Sequence, residues 1–186
     1  QYTSSAASDV YKRQGIARML GEVEGLRVVG EANSGELAVQ MARELAPEVV
    51  LMDLKMPGIG GLEATRILLR VDEGIRVIAV TMCEEEPFPS RLMKAGAAGY
   101  MTKGADLEEM VRAIKVVATG QRYISPEIAQ AMALKPYTGD EGSLLDMLSE
   151  RELQIMMMIV NCHKVQDVAD KLCLSPKTCL LYTSDA

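Results

Sequence analysis

Short apolar runs alternate with amphipathic stretches between residues 26 and 118. Four runs predict strands, most of them buried on both faces, at residues 26–29, 49–52, 76–80 and 98–101. Patterns of helical period predict helices at about 33–45, 62–69, 90–95 and 106–118. Asn33 and Asp106 are the expected N-caps of the first and last of these helices. The alternation of strands and helices predicts an α/β fold with a doubly wound parallel sheet.

The pattern changes near residue 120, where a helical region begins. Ser125–Pro126 predicts the start of a helix that runs to about Leu134, and the polar residues 135–142 predict a linker. Capping signals at Ser149 and Ser175 predict short helices in succession, the last beginning near Ser175. Such a succession, with a tight turn before the last helix, predicts a helix-turn-helix. We therefore divide this part of the chain into a helix and linker at 121–147 and a helix-turn-helix at 148–178.

The two ends of the chain differ from the rest. Residues 1–10 are rich in Ser and Ala and show no periodic pattern, and the tripeptide Tyr-Thr-Ser occurs at 2–4 and again at 182–184. We therefore expect residues 1–14 and 179–186 to be non-native sequence, which leaves 15–120 as the α/β domain.

Composition and charge narrow the class of protein. Apolar residues make up 48% and charged residues 25%, which excludes a disordered or fibrous chain. No apolar run approaches the roughly 18 residues of a membrane span. The four Cys form no C-x-x-C pair, and without an export signal we expect a cytoplasmic chain with reduced thiols. A net charge of −6 opposes a broadly basic nucleic-acid surface but permits one local DNA-binding face.

A polar residue follows each of three predicted strands. Asp53 follows the run 49–52, Thr81 follows the run 76–80, and Lys103 comes just after the last run. The carboxyl ends of parallel strands form one ligand crevice, so these side chains should converge there. A carboxylate acceptor, a hydroxyl donor and an ammonium counter-charge together suit a phosphoryl group. Each residue alone is also a common structural or solvated strand-end residue.

At this point the residues match a known family. The segment Val49-Val-Leu-Met-Asp-Leu-Lys-Met-Pro-Gly-Ile-Gly-Gly-Leu-Glu63, with Thr81 and Lys103, resembles the receiver domain of bacterial two-component response regulators. Leu148-Ser-Glu-Arg-Glu-Leu153 and Val168-Ala-Asp-Lys-Leu-Cys-Leu-Ser-Pro-Lys-Thr178 resemble the LuxR-type helix-turn-helix of the NarL/FixJ subfamily. Within that subfamily the chain is most similar to the GacA/UvrY regulators. The resemblance implies a flavodoxin-like receiver at 15–120, followed by a partial all-α helix-turn-helix domain.

The resemblance also implies roles for single residues. Asp53 would accept a phosphoryl group from a sensor histidine kinase, Thr81 and Lys103 would hold the phosphate, and Tyr100 would be the switch aromatic. Mg²⁺ would be bound by Asp53 and by the backbone carbonyl of Lys55. Ser175, Lys177 and Thr178 would contact promoter DNA, and the complete protein would be a homodimer. The implied protein is a transcription regulator and not an enzyme.

Two departures from the family pattern qualify this interpretation. In the family the first strand ends in an acidic pair that completes the Mg²⁺ site, and here those positions are Ala7 and Ser8, which makes the first strand doubtful. Asp9 is one position further on and should not substitute. From Cys179 onward the sequence does not continue the basic recognition helix of the family, so a truncated receiver that acts only through protein contacts is an alternative.

A phosphoaspartyl phosphatase of the haloacid dehalogenase type is disfavoured, because Lys55 occupies the position of its second Asp.

Overall fold

The computed structural model describes residues 4–72, 74–81 and 88–134, together with residues 152, 155 and 156. Helices and strands follow one another along the chain. They are α1 (Ser4–Gly21), α2 (Gly35–Leu45), β1 (Val49–Asp53), α3 (Gly60–Val71), β2 (Arg76–Thr81), α4 (Phe88–Lys94), β3 (Gly99–Thr102), α5 (Leu107–Ala118), β4 (Tyr123–Ile124) and α6 (Pro126–Leu134). The predicted helix-turn-helix, the linker and the residues Ser175, Lys177 and Thr178 lie outside the described residues, apart from the helical positions 152, 155 and 156.

The described strands form one parallel sheet in the order β1-β2-β3-β4. β1 pairs with β2 from Val49↔Arg76 to Asp53↔Val80, and β2 pairs with β3 up to Thr81↔Thr102. The doubly wound α/β prediction is therefore confirmed for this part of the chain. The register brings the carboxyl ends of β1, β2 and β3 to one edge of the sheet.

Helices cover both faces of the sheet through three apolar clusters. On one face, α2 and α3 bury Ala42, Met52 and Leu68 in what we call the α2–α3 cluster. On the other face, α1 and α5 bury Leu20 and Val117 in the α1–α5 cluster. The third group, the α4–α6 cluster, includes buried residues of α4, β3 and α6, and Met156 packs against it: Leu54, Leu62, Ala79, Leu92, Met93, Ala97, Tyr100 and Ile128. Burial on two faces explains why the strands of this sheet are continuous apolar runs.

The predicted strand at residues 26–29 is wrong, since these residues are not part of the sheet. Val28 and Val29 remain 39% and 38% exposed. The physical reason is that a strand needs a neighbour to accept its backbone hydrogen bonds. The preceding residues, which would have to supply that neighbour, form helix α1 instead, although residues 1–10 show no periodic pattern. Helix α1 passes through residue 14 without interruption and packs against α5.

A fourth strand, β4, extends the sheet past residue 120. The N–H of Tyr123 donates to the carbonyl of Ala98 at 3.0 Å, and the N–H of Ser125 donates to the carbonyl of Tyr100 at 3.0 Å. The Tyr123 hydroxyl donates to Glu109 Oε1 at 2.9 Å and accepts from Arg112 Nη2 at 3.3 Å. Burial raises the pKa of Tyr123 above its ordinary value. These contacts fix β4 against α5.

Two helix starts test the predicted caps. Asp106 is confirmed as the N-cap of α5, where its carboxylate accepts from the N–H of Glu109 at 2.8 Å. The cap of α2 is Ser34 and not Asn33, because the Ser34 hydroxyl accepts from the N–H of Leu37 at 3.2 Å. The one-residue shift is small, but it places Glu36 in the first turn of α2.

Candidate functional site

Asp53 and Lys103 form an ion pair at the carboxyl edge of the sheet. Lys103 Nζ lies 2.6 Å from Asp53 Oδ2, and the two side chains are 32% and 29% exposed. A contact this short between charged groups is a strong hydrogen bond that remains open to solvent on one side. The convergence predicted from the strand ends is therefore present for these two residues.

The neighbouring strand end brings Thr81 to the same edge. Thr81 is the last residue of β2 and is fully buried. The carbonyl of Thr81 accepts from the N–H of Lys103 at 2.9 Å. This hydrogen bond fixes the backbone of Lys103 to the end of β2. Tyr100, on β3, is also fully buried and packs in the α4–α6 cluster. Tyr100 thus occupies an inward position in this structure.

The loop between β1 and α3 donates a backbone hydrogen bond to the carboxylate of Asp53. The N–H of Lys55 donates to Asp53 Oδ1 at 2.9 Å, so both carboxylate oxygens have a donor. Gly61 packs directly on this strand end, since an ideal Cβ there would lie 1.9 Å from the Asp53 carbonyl oxygen. Only glycine permits so close an approach of α3 to the site.

Helix α2 fixes the far side of that loop, a feature that the sequence analysis missed. Glu36 Oε1 accepts from the N–H of Ile59 at 3.1 Å, and the N–H of Gly35 donates to the carbonyl of Pro57 at 3.1 Å. Gly58, at φ +85°, lies so close to Glu36 that a Cβ would meet its carboxylate. The one feature of the sequence that points to this contact is an acidic residue in the first turn of a helix, and such residues are too common to indicate it.

Two regions of the chain match known protein families. The sequence pattern of the response regulator receiver domain matches residues 8–115, and that of bacterial regulatory proteins of the luxR family matches residues 146–185. The chain belongs to the response-regulator family. Response regulator GacA of Pseudomonas aeruginosa is 66% identical over 171 residues, which cover 91% of this chain and 80% of the relative. Response regulator UvrY of Escherichia coli K12 is 50% identical over 171 residues, covering 91% and 78%.

The structure of a solved response regulator agrees with this assignment. A LuxR-family two-component response regulator from Aurantimonas has a TM-score of 0.65 and 38% identity, and the match covers 68% of this chain and 91% of that one. The predicted resemblance to GacA/UvrY is thus confirmed, and this response regulator combines a receiver with a LuxR-type DNA-binding domain. It is a DNA-binding transcription regulator, and its family is one of regulators, not of classical enzymes. Within the part of the chain that the structure describes, no helix is long and apolar enough to cross a membrane.

Receiver domains generally use Mg²⁺, but the residues of this site offer it few ligands. Of the expected ligands, the Asp53 carboxylate already binds Lys103 and the N–H of Lys55. Ala7 and Ser8, the positions of the family's acidic pair, lie within α1 and offer no carboxylate. Across the described residues, no three His, Cys, Asp or Glu side chains come together to hold a metal. Because Mg²⁺ prefers several oxygen ligands, the described residues do not fit this ion.

Proposed function

We propose that this response regulator is controlled by transfer of a phosphoryl group to Asp53 from a sensor histidine kinase. The observation that supports this most is the 2.6 Å contact between Lys103 Nζ and Asp53 Oδ2 at the open edge of the sheet. The carboxylate is exposed enough to be reached, and a fixed positive charge lies where the charge of a bound phosphoryl group would develop.

The proposed step needs no residue beyond this site. A carboxylate oxygen of Asp53 attacks the phosphorus of a phosphohistidine. The P–N bond breaks, a P–O bond forms, and the kinase imidazole leaves with the electron pair of the broken bond and takes up a proton. Lys103 then exchanges its carboxylate partner for a phosphate oxygen, which compensates part of the charge of about −2 that the phosphoryl group carries in place of the charge of about −1 of the carboxylate.

Thr81 and Tyr100 are the residues that would pass this change to the rest of the receiver. Both are fully buried, and Tyr100 packs in the cluster that Met156 also contacts. We expect the Thr81 hydroxyl to bind the phosphate. When Thr81 is bound in this way, we expect the inward position of Tyr100 to become more stable. A full shift between two states needs about 5.5 kcal/mol of differential affinity, which a phosphate bound by charged donors can supply.

The output would be promoter DNA binding through the LuxR-type region. Ser175, Lys177 and Thr178 lie in the matched segment 146–185 and are the proposed DNA contacts. Lys177 would bind a phosphate of the DNA backbone. Ser175 and Thr178 would lie at the start of the helix that enters the major groove of the DNA. We further expect a homodimer, because two half-sites are then bound together.

Intact-mass spectrometry after incubation with acetyl phosphate in Mg²⁺ buffer tests the proposal. The parent chain should gain the mass of one phosphoryl group, slowly because no acidic pair accompanies Asp53, and Asp53→Asn should gain none. Asp72→Asn is the matched control, since Asp72 is an exposed residue at the end of α3. Equal incorporation by Asp53→Asn, or none by the parent chain, would contradict the proposal.

A second function is favoured by one specific observation. Across the described residues, no three His, Cys, Asp or Glu side chains come together to hold Mg²⁺ beside Asp53. A receiver in this condition would act through protein contacts without phosphorylation. The same mass measurement separates the two functions, because this one predicts no incorporation by the parent chain.

A further inference from the structure

Helix α3, which begins directly after the loop that carries Lys55, receives no side-chain cap from its own N-cap residue. That residue is Ile59, which makes no side-chain cap hydrogen bond. In a capping box, a Glu or Gln three residues further on accepts from the N–H of the N-cap residue, and here that position is the buried, apolar Leu62. The N–H of Ile59 therefore needs an acceptor from outside α3.

Glu36, in the first turn of α2, supplies that acceptor. Its Oε1 accepts from the N–H of Ile59 at 3.1 Å. The carboxylate also lies against Gly58, where a Cβ would collide with it and where a φ of +85° favours glycine. The two backbones approach closely beside this contact, since a Cβ on Gly35 would lie 2.8 Å from the carbonyl oxygen of Gly60. Glu36 thus serves α3 as the Glu of a capping box would, but from another helix.

The first turn of α2 holds the far end of the loop between β1 and α3. At the near end of this loop, the N–H of Lys55 donates to Asp53 Oδ1 at 2.9 Å. Lys55 and Pro57 are exposed, so packing of their side chains gives the loop little support. Backbone contacts with α2 supply support instead, because the carbonyl of Pro57 accepts from the N–H of Gly35 at 3.1 Å, next to Glu36.

We propose that Glu36 is a positioning residue for phosphoryl transfer to Asp53, an inference that rests on the function proposed above. Glu36 acts through the N–H of Ile59, which fixes the far end of the loop and so keeps the N–H of Lys55 on the acceptor carboxylate. Glu36 is itself exposed, so its replacement leaves the apolar clusters intact. A loop released from α2 would move the N–H of Lys55 away from Asp53, and such misplacement slows a reaction that depends on orientation.

Phosphorylation of the full chain by acetyl phosphate in Mg²⁺ buffer tests this proposal, with intact mass as the readout. Glu36→Ala removes the acceptor and should incorporate phosphoryl groups at least about fivefold more slowly than the parent chain. Glu36→Gln keeps an acceptor oxygen at the same place and should retain most of the parent rate. Glu44→Ala is the matched control and should also retain it, because it removes the same charge from an exposed position of α2 whose contact is with Gln40 of the same helix.

Amide hydrogen exchange measured by NMR separates positioning from a general loss of stability. In Glu36→Ala the amides of Ile59 and Lys55 should both exchange faster than in the parent chain, because their acceptors are removed or displaced. The amide of Ala79, in the middle of the sheet, should exchange at the parent rate. Glu36→Gln should restore slow exchange at both loop amides.

The outcomes distinguish this inference from the function on which it rests. Parent-like incorporation by Glu36→Ala, or slow incorporation with an unchanged Lys55 amide, would overturn the positioning role and leave phosphorylation of Asp53 in place. Equal losses in Glu36→Ala and Glu36→Gln, or equally faster exchange at Ala79, would overturn it as well. Absence of incorporation by the parent chain would instead overturn the proposed function, and the positioning role with it.

Discussion

Replacing Gly61 with alanine should destabilise the receiver by disturbing the backbone of the candidate site itself. An ideal Cβ at this position would lie 1.9 Å from the carbonyl oxygen of Asp53 and 2.9 Å from Cα of Leu54. Ordinary contact for a Cβ begins at 3.4 Å, so the strand end and helix α3 must separate by roughly 1.5 Å. Both obstacles are backbone atoms, which cannot move aside by changing a rotamer.

The loss in free energy of unfolding caused by Gly61→Ala can be estimated from the cost of overpacking. Overpacking of a buried site usually costs 1–3 kcal/mol, and backbone obstacles favour the upper end, so we expect a loss of about 3 kcal/mol. The separation would also weaken the hydrogen bond from the N–H of Gly61 to the carbonyl of Leu54, at 3.2 Å. Movement of the Asp53 backbone would displace its carboxylate from Lys103, so phosphorylation should slow by about tenfold or more.

Gly15→Ala is the matched control for this substitution. Gly15 lies within α1, and a Cβ there meets nothing within 4 Å. Alanine should therefore stabilise the helix by up to about 1 kcal/mol. Urea unfolding followed by circular dichroism measures both free energies of unfolding. A Gly61→Ala variant within about 0.5 kcal/mol of the parent chain would refute the reasoning about this contact.

Substitutions at two further residues test helix α5 and strand β4. Asp106→Ala removes the N-cap bond to the N–H of Glu109 and should cost about 1 kcal/mol, and Asp106→Asn should restore most of it. Tyr123→Phe removes bonds to Glu109 and Arg112 and should also cost about 1 kcal/mol at neutral pH. Because burial raises the pKa of Tyr123, the folded parent keeps a proton that the unfolded chain loses above pH of about 10. Stability of the parent should therefore fall as the pH rises through this range, and unfolding curves of Tyr123→Phe should show a smaller fall.

The strands that position the site could be predicted because each buried strand is a run of consecutive apolar residues. Val49–Met52 and Val77–Val80 are apolar at every position, and a polar residue follows each run. The rule that parallel strands end at one edge then brings Asp53 and Lys103 together. The prediction needed no knowledge of the loops, since the sheet register alone fixes these two positions.

Features that depend on distant partners could not be predicted in this way. Residues 26–29 have the composition of a strand, but a strand exists only where another strand accepts its hydrogen bonds. The two-residue strand Tyr123–Ile124 is too short for any pattern, and it forms because Ala98 and Tyr100 offer it backbone carbonyls. The contact of Glu36 with the N–H of Ile59 joins residues 23 positions apart. Side-chain contacts of this kind leave no periodic signal in the sequence.

The central claim is that Asp53 itself carries the phosphoryl group, and reductive trapping tests it most directly. Borohydride reduces an aspartyl phosphate to homoserine with release of phosphate, so the modified residue can be identified by peptide sequencing in a mass spectrometer. After incubation of the full chain with acetyl phosphate, we predict homoserine at position 53 and at no other aspartate. Homoserine at another aspartate with position 53 unchanged would contradict the account.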